Sequence, residues 1–207
     1  LSTKKYKLIV SLDKLREFNK DIILDFESMG YINHLHYSKN GNYLYFCHVI
    51  EGSSKTKQEI PMIYSVINNE ITVLTNDPIS HECWVDDDRI MLYSGIHNKY
   101  GYNIYDVKSG EKSDYFHDIL LLDGHPTYLP NNSLLTDTYP DIFGYMKLLY
   151  FDGKNNNKLA EFHLDNKYFG EIRCDLHPRL SPERDKCMVD VLINNKRQMV
   201  LVEMNDS

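Results

Sequence analysis

A short pattern recurs along this chain at intervals that constrain its architecture more than any other feature. Asn33-His34-Leu35-His36-Tyr37, Ser80-His81-Glu82-Cys83-Trp84, Gly124-His125-Pro126-Thr127-Tyr128 and Leu176-His177-Pro178-Arg179-Leu180 align on a histidine followed, three residues later, by an aromatic or a leucine. The histidines stand 47, 44 and 52 residues apart. Each segment runs into a polar turn: Ser38-Lys39-Asn40-Gly41, Asp86-Asp87-Asp88, Pro130-Asn131-Asn132 and Pro182-Glu183-Arg184-Asp185. Each turn leads into a new apolar run. A period of about 40–50 residues with several short strands per unit is the mark of propeller blades.

The rest of the chain agrees with an all-β propeller of four-stranded blades. Apolar runs rich in Tyr, Val and Ile, such as Tyr43-Leu44-Tyr45-Phe46 and Ile71-Thr72-Val73-Leu74, are broken by Asn, Asp, Gly and Ser. The repeat predicts blades near residues 33–75, 81–117, 125–163 and 176–204, in one propeller domain spanning 1–207. The fourth blade comes out one strand short. Residues 6–11, Tyr-Lys-Leu-Ile-Val-Ser, read as a strand outside these blades, and 12–26 carries the chain's one helical periodicity. Four blades make either a small ring closed by 6–11 or, as this reading prefers, the C-terminal part of a larger ring. A partial ring would call for a second copy or a partner.

Composition excludes other classes. Lys and Arg total 23 against 30 Asp and Glu, a net charge of −7, which is not the basic footprint of a nucleic-acid binder. No apolar run approaches the ~20 residues of a membrane helix. Cys47, Cys83, Cys174 and Cys187 include no C-x-x-C pair, so neither a zinc ribbon nor a disulfide scaffold is indicated. Free cysteines at strand positions fit a reducing cytoplasm.

A residue at the same place in each blade projects to the same level of the central channel. His34, His81, His125 and His177 are therefore expected to converge, as a metal-binding or a proton-transfer set. The plain alternative is that each histidine caps a neighbouring backbone. Near the same level lie Arg173, Asp175, Arg179, Asp137 and Tyr139; Arg can clamp a carboxylate bidentately and Tyr can act as acid or base. Trp84 offers an indole for ligand contact. Cys174 and His177 share a C-x-x-H spacing, which by itself more often marks a structural cysteine.

Gly124-His125-Pro126-Thr127-Tyr128 with Leu135-Thr136-Asp137-Thr138-Tyr139-Pro140-Asp141, and Glu171-Ile172-Arg173-Cys174-Asp175-Leu176-His177-Pro178-Arg179 with Ser181-Pro182, resemble blades of the WD40-like, TolB-type propeller repeats. Within that class they are most similar to the oligogalacturonate lyase-like group and propeller polysaccharide lyases. The resemblance implies β-elimination on a uronic-acid oligosaccharide at a His-rich site holding a divalent metal, manganese ahead of zinc. It places the metal or base at His81, His125 and His177, the carboxylate clamp at Arg179 or Arg173, and a proton donor at Tyr139; to these the reading of the repeat adds His34 as a fourth metal ligand, and Asp137, Asp175 and Trp84 as substrate contacts. It also allows a periplasmic location. The chain departs from the group at Leu180 and in its turns, and holds four blades where relatives have about seven. The other readings are a non-catalytic propeller that binds a glycan or protein, and a degenerate relative that assembles with another copy.

Overall fold

The computed structural model describes residues 6–22, 29–52, 57–96, 99–116, 119 and 122–204. Four antiparallel sheets follow one another along the chain, each a meander of neighbouring strands. Blade 1 is β1 (Met29–Tyr37), β2 (Tyr43–Glu51), β3 (Lys57–Ser65) and β4 (Glu70–Val73). Blade 2 is β5 (Ile79–Trp84), β6 (Arg89–Ile96), β7 (Lys99–Asp106) and β8 (Lys112–Asp114). Blade 3 is β9 (Thr127–Leu129), β10 (Ser133–Asp137), β11 (Tyr145–Phe151) and β12 (Asn156–His163). Blade 4 has three strands among the described residues: β13 (Arg179–Leu180), β14 (Lys186–Ile193) and β15 (Lys196–Glu203). The repeat thus predicts the blades and their strand order well. Residue 117, at the expected end of blade 2, lies outside the described residues, as do 23–26 of the expected helix.

Packing between blades follows from strand alternation, which gives each sheet two apolar faces. Tyr45 and Ile63 of blade 1 meet Trp84, Ile90, Leu92 and Tyr105 of blade 2. Met91 and Tyr102 of blade 2 meet Leu134 and Phe151 of blade 3. Leu135, Met146 and Leu148 of blade 3 meet Cys187, Val189 and Val191 of blade 4. No buried cluster joins blade 4 to blade 1 among the described residues.

The free face of blade 1 is covered instead by α1 (Leu12–Phe18). Ser11 caps this helix by accepting from the Lys14 N–H at 3.2 Å, and Asp13 sits in its first turn, where the helix dipole favours a negative charge. Leu15 is buried against Leu44, Phe46, Ile60, Met62 and Tyr64. The expected strand at 6–11 is not formed, and these residues do not pair with β15. The reason is local: Ser11 is used as a helix cap and Val10 packs on blade 1, beside α1. No helix among the described residues is long and apolar enough to cross a membrane.

Two irregularities aim side chains into the channel. β1 is bulged between Asn33 and His36, and β5 between Ile79 and Glu82. A bulge adds a residue to one strand and redirects its side chains, a common device beside functional sites. His34 and His177 also hold left-handed backbone, with φ of 55° and 43°, a conformation that costs free energy in a non-glycine residue.

Candidate functional site

The inner strands surround a cleft of about 850 Å³. The four repeat histidines stand side by side along it. Ring centroids are 6.4 Å apart for His34 and His81, 4.3 Å for His81 and His125, and 3.8 Å for His125 and His177. The last pair overlaps with an interplanar angle of 36°.

Two of these rings are backed by carboxylates. His125 Nδ1 lies 2.9 and 3.0 Å from the Asp137 oxygens, and the His125 backbone N–H donates to Asp137 Oδ1 at 2.6 Å. Asp137 is buried and also accepts from the His177 backbone N–H at 3.1 Å. One carboxylate thus ties the inner segments of blades 3 and 4. The approach depends on Gly124, where any Cβ would collide with the Asp137 carbonyl. His81 Nδ1 lies 3.0 Å from Asp123 Oδ1, and its Nε2 lies 3.2 Å from the Tyr139 hydroxyl. With Nδ1–H donating to Asp123, Nε2 faces the phenol oxygen. Hydrogen bonds from the imidazole to a carboxylate fix tautomer and orientation.

The electrostatics of the two walls differ. Burial works against a charge on His81, but the Asp123 carboxylate outweighs it and raises the imidazole above its ordinary value. Burial, helped by the Asp123 charge and opposed by Arg173, pushes the Tyr139 phenol up to about 12. On the opposite wall burial and neighbouring His81 hold His34 low, and burial with Arg179 does the same to His36. Glu82 sits between them, 3.4 Å from His34 Nδ1 and 3.9 Å from His36 Nδ1. Burial raises its carboxyl to about 7, against the pull of His81.

The remaining expected residues fall as follows. Arg179 lines the cleft, donates to the Pro178 carbonyl at 3.1 Å and forms no ion pair among the described residues. Arg173 is held bidentately by Asp175 at 2.6 and 2.9 Å, with its guanidinium 4.2 Å above the Tyr139 ring. Trp84 lines the cleft but is mostly buried, its indole N–H donating to the His36 carbonyl at 3.0 Å. Cys174 is buried in the core between blades 3 and 4. Sequence reasoning passed over Asp123 and Glu82. Asp123 stands two residues before His125 yet serves His81, on the preceding blade, so no local motif could show the pairing. Glu82 follows His81 directly, and strand alternation would turn it away from the channel; the bulge in β5 brings it in.

Imidazoles with carboxylates behind them suit a divalent metal in kind. As placed, however, no three His, Cys, Asp or Glu side chains among the described residues are set to hold a metal ion.

No family model matches the chain, and no curated protein matches its sequence. Its likenesses are to solved structures. TolB from Acinetobacter baumannii superimposes with a TM-score of 0.52 at 11% identity, over 84% of this chain and 52% of that one. A prolyl endopeptidase structure, one of two studied for inter-domain dynamics in catalysis and specificity, matches with a TM-score of 0.51 at 11% identity, over 86% of this chain and 29% of that one. The chain spans about half the length of the TolB structure and under a third of the endopeptidase. At such identities the likeness concerns architecture, and in architecture the chain is a TolB-type β-propeller.

Proposed function

We propose that the cleft is an acid–base site for β-elimination on an oligosaccharide containing uronic acid. The observation that supports this reading is the pair of carboxylate-backed imidazoles with ring centroids 4.3 Å apart, one of which ends on a phenol. Elimination needs three functions in one place: a base for the proton beside the carboxylate, a cation for that carboxylate, and an acid for the departing oxygen.

His125, with Nδ1–H donated to Asp137, keeps Nε2 for the carbon-bound proton. Arg179 receives the substrate carboxylate, since Arg173 is committed to Asp175. As the C–H electrons form the new C=C bond, the C–O bond to the neighbouring sugar breaks. The departing oxygen takes the proton of Tyr139. His81, whose protonated form Asp123 favours, returns a proton to the phenolate. Proton return from His125 to His81 across adjacent rings restores the site. No step runs through a metal. The expected manganese or zinc would act, if bound at the histidines, by neutralising the uronate charge.

The test is incubation with oligogalacturonates, followed by the ultraviolet absorbance of the conjugated uronate. We expect turnover in the native protein and a loss of at least ~100-fold in His125→Ala, the usual scale for a general base. Metal analysis of the same preparation addresses manganese and zinc. Absence of unsaturated product, with or without metal supplied, overturns the lyase reading. Binding without turnover would make the propeller a glycan platform instead.

A further inference from the structure

Tyr139 borders two cavities. On one side it lines the histidine cleft; on the other it lines a recess of about 220 Å³ with Leu122, Asp123, Pro140, Asp141, Tyr145 and Lys147. A phenol that protonates a departing oxygen must stand where the breaking bond passes. The sugar that loses its proton lies on the side of His125 and Arg179. Its neighbour must then lie on the far side of Tyr139.

From this juxtaposition we infer that the recess seats the leaving sugar, as a subsite for a uronate residue. The inference rests on the lyase reading and extends it across the bond being broken.

The lining fits such an occupant. Tyr145, Leu122 and Pro140 supply apolar walls, and a partly exposed Tyr suits the apolar face of a pyranose. The polar groups are already sorted. Asp123 Oδ1 accepts from the Gly124 N–H and meets His81 Nδ1. Asp141 Oδ1 accepts from the backbone N–H groups of Phe143 and Tyr145, at 2.9 and 3.0 Å, which bind its charge to its own loop. Those N–H groups, with the Lys147 charge adding a smaller part, hold the Asp141 carboxyl below its ordinary value. Lys147 is the cation lining the recess; its charge bears on Asp141, with no ion pair between them among the described residues. It is placed to meet the carboxylate of the leaving uronate.

The subsite adds no chemistry of its own. It binds, so its loss appears in KM, with kcat nearly kept. We expect Tyr145→Ala and Lys147→Met each to raise KM for trigalacturonate about tenfold, which is ~1.4 kcal/mol, with kcat within about twofold. Near-ultraviolet circular dichroism checks that each variant is folded. A readout apart from turnover is the amide NMR spectrum of His125→Ala with added galacturonate; shifts should centre on Gly144, Tyr145 and Lys147. Turnover by the native protein with KM unmoved in both folded variants overturns the subsite and leaves the lyase reading standing. Amide shifts confined to the histidine cleft do the same. Failure of the native protein to form unsaturated product overturns both.

Discussion

Blades 1 and 4 are built from the same strand pattern and end in opposite states. In β2 seven consecutive residues are buried, Leu44 through Ile50. In β14 burial alternates: Cys187, Val189 and Val191 are inside, while Lys186, Met188 and Asp190 are outside. β2 has blade 2 on one face and α1 on the other; among the described residues β14 has blade 3 on one face only. On the open face Met199 and Leu201 of β15 are 74% and 52% exposed. The corresponding third-strand residues of blade 3, Leu148 and Tyr150, pack against blade 4, Leu148 fully buried and Tyr150 partly so. A blade therefore supplies half of each interface it joins. A single helix with one well-placed leucine can stand in for the other half.

The comparison can be broken at its strongest point first. Leu15→Ala removes the helix's buried anchor and should cost about 4 kcal/mol in urea unfolding, as deletions of a fully buried leucine do. Next comes Glu82, which tests the inner wall. Its raised carboxyl means the protonated form is favoured in the folded protein. That stabilisation is complete below the ordinary carboxyl range near 4.5 and is lost as pH rises through about 7. The native protein should lose about 2–3 kcal/mol relative to Glu82→Gln between about pH 5 and about pH 8, read as diverging melting temperatures.

His48 should show the opposite slope. It is buried beneath α1, with Nδ1 3.0 Å from Asn19 Nδ2, while His48 Nε2 and Asn19 Oδ1 find no hydrogen-bond partner among the described residues. Burial first and Arg16 second lower its imidazole below the ordinary 6.5. Its contribution is therefore present above that value and is lost as pH falls below it. The protection of the α1 amides, corrected for the intrinsic exchange rate, should fall in mild acid, and His48→Gln should flatten that response. The smallest effect belongs to the open face: Leu201→Ala should change stability by no more than about 0.5 kcal/mol. A loss near that of Leu15→Ala would mean that blade 4 is covered in solution and that the two ends are alike.

Much of this was legible in the residues. The histidine repeat located four blades because the inner strand of every blade must present the same face to the channel. The polar turns located the strand ends because Asn, Asp and Gly accept the backbone that a tight reversal needs. Ser11 is the instructive miss. A Ser before Leu12-Asp13-Lys14 is a helix-cap signal, yet the apolar residues of 6–11 also read as a strand. The packing of Val10 and Leu15 on blade 1 settles the competition. The site was legible only where its logic runs along the chain. His81, His125 and His177 share a register, so they are brought together. Asp123 with His81, and Glu82 with His34, are pairings across blades, one of them made by a bulge, and neither has a local spacing to betray it.

Asp137 has a mechanical consequence. It grips His125 with both oxygens from within its own blade and, with Oδ2, also the backbone of His177 on the next. If blade 4 slid against blade 3, the His177 N–H would leave the carboxylate, and Asp137 would hold His125 with one fewer compensating donor. The alignment of two blades is thereby written into the orientation of one imidazole. A load applied to the last blade would be felt at the site as a displacement of the carboxylate that aims this ring.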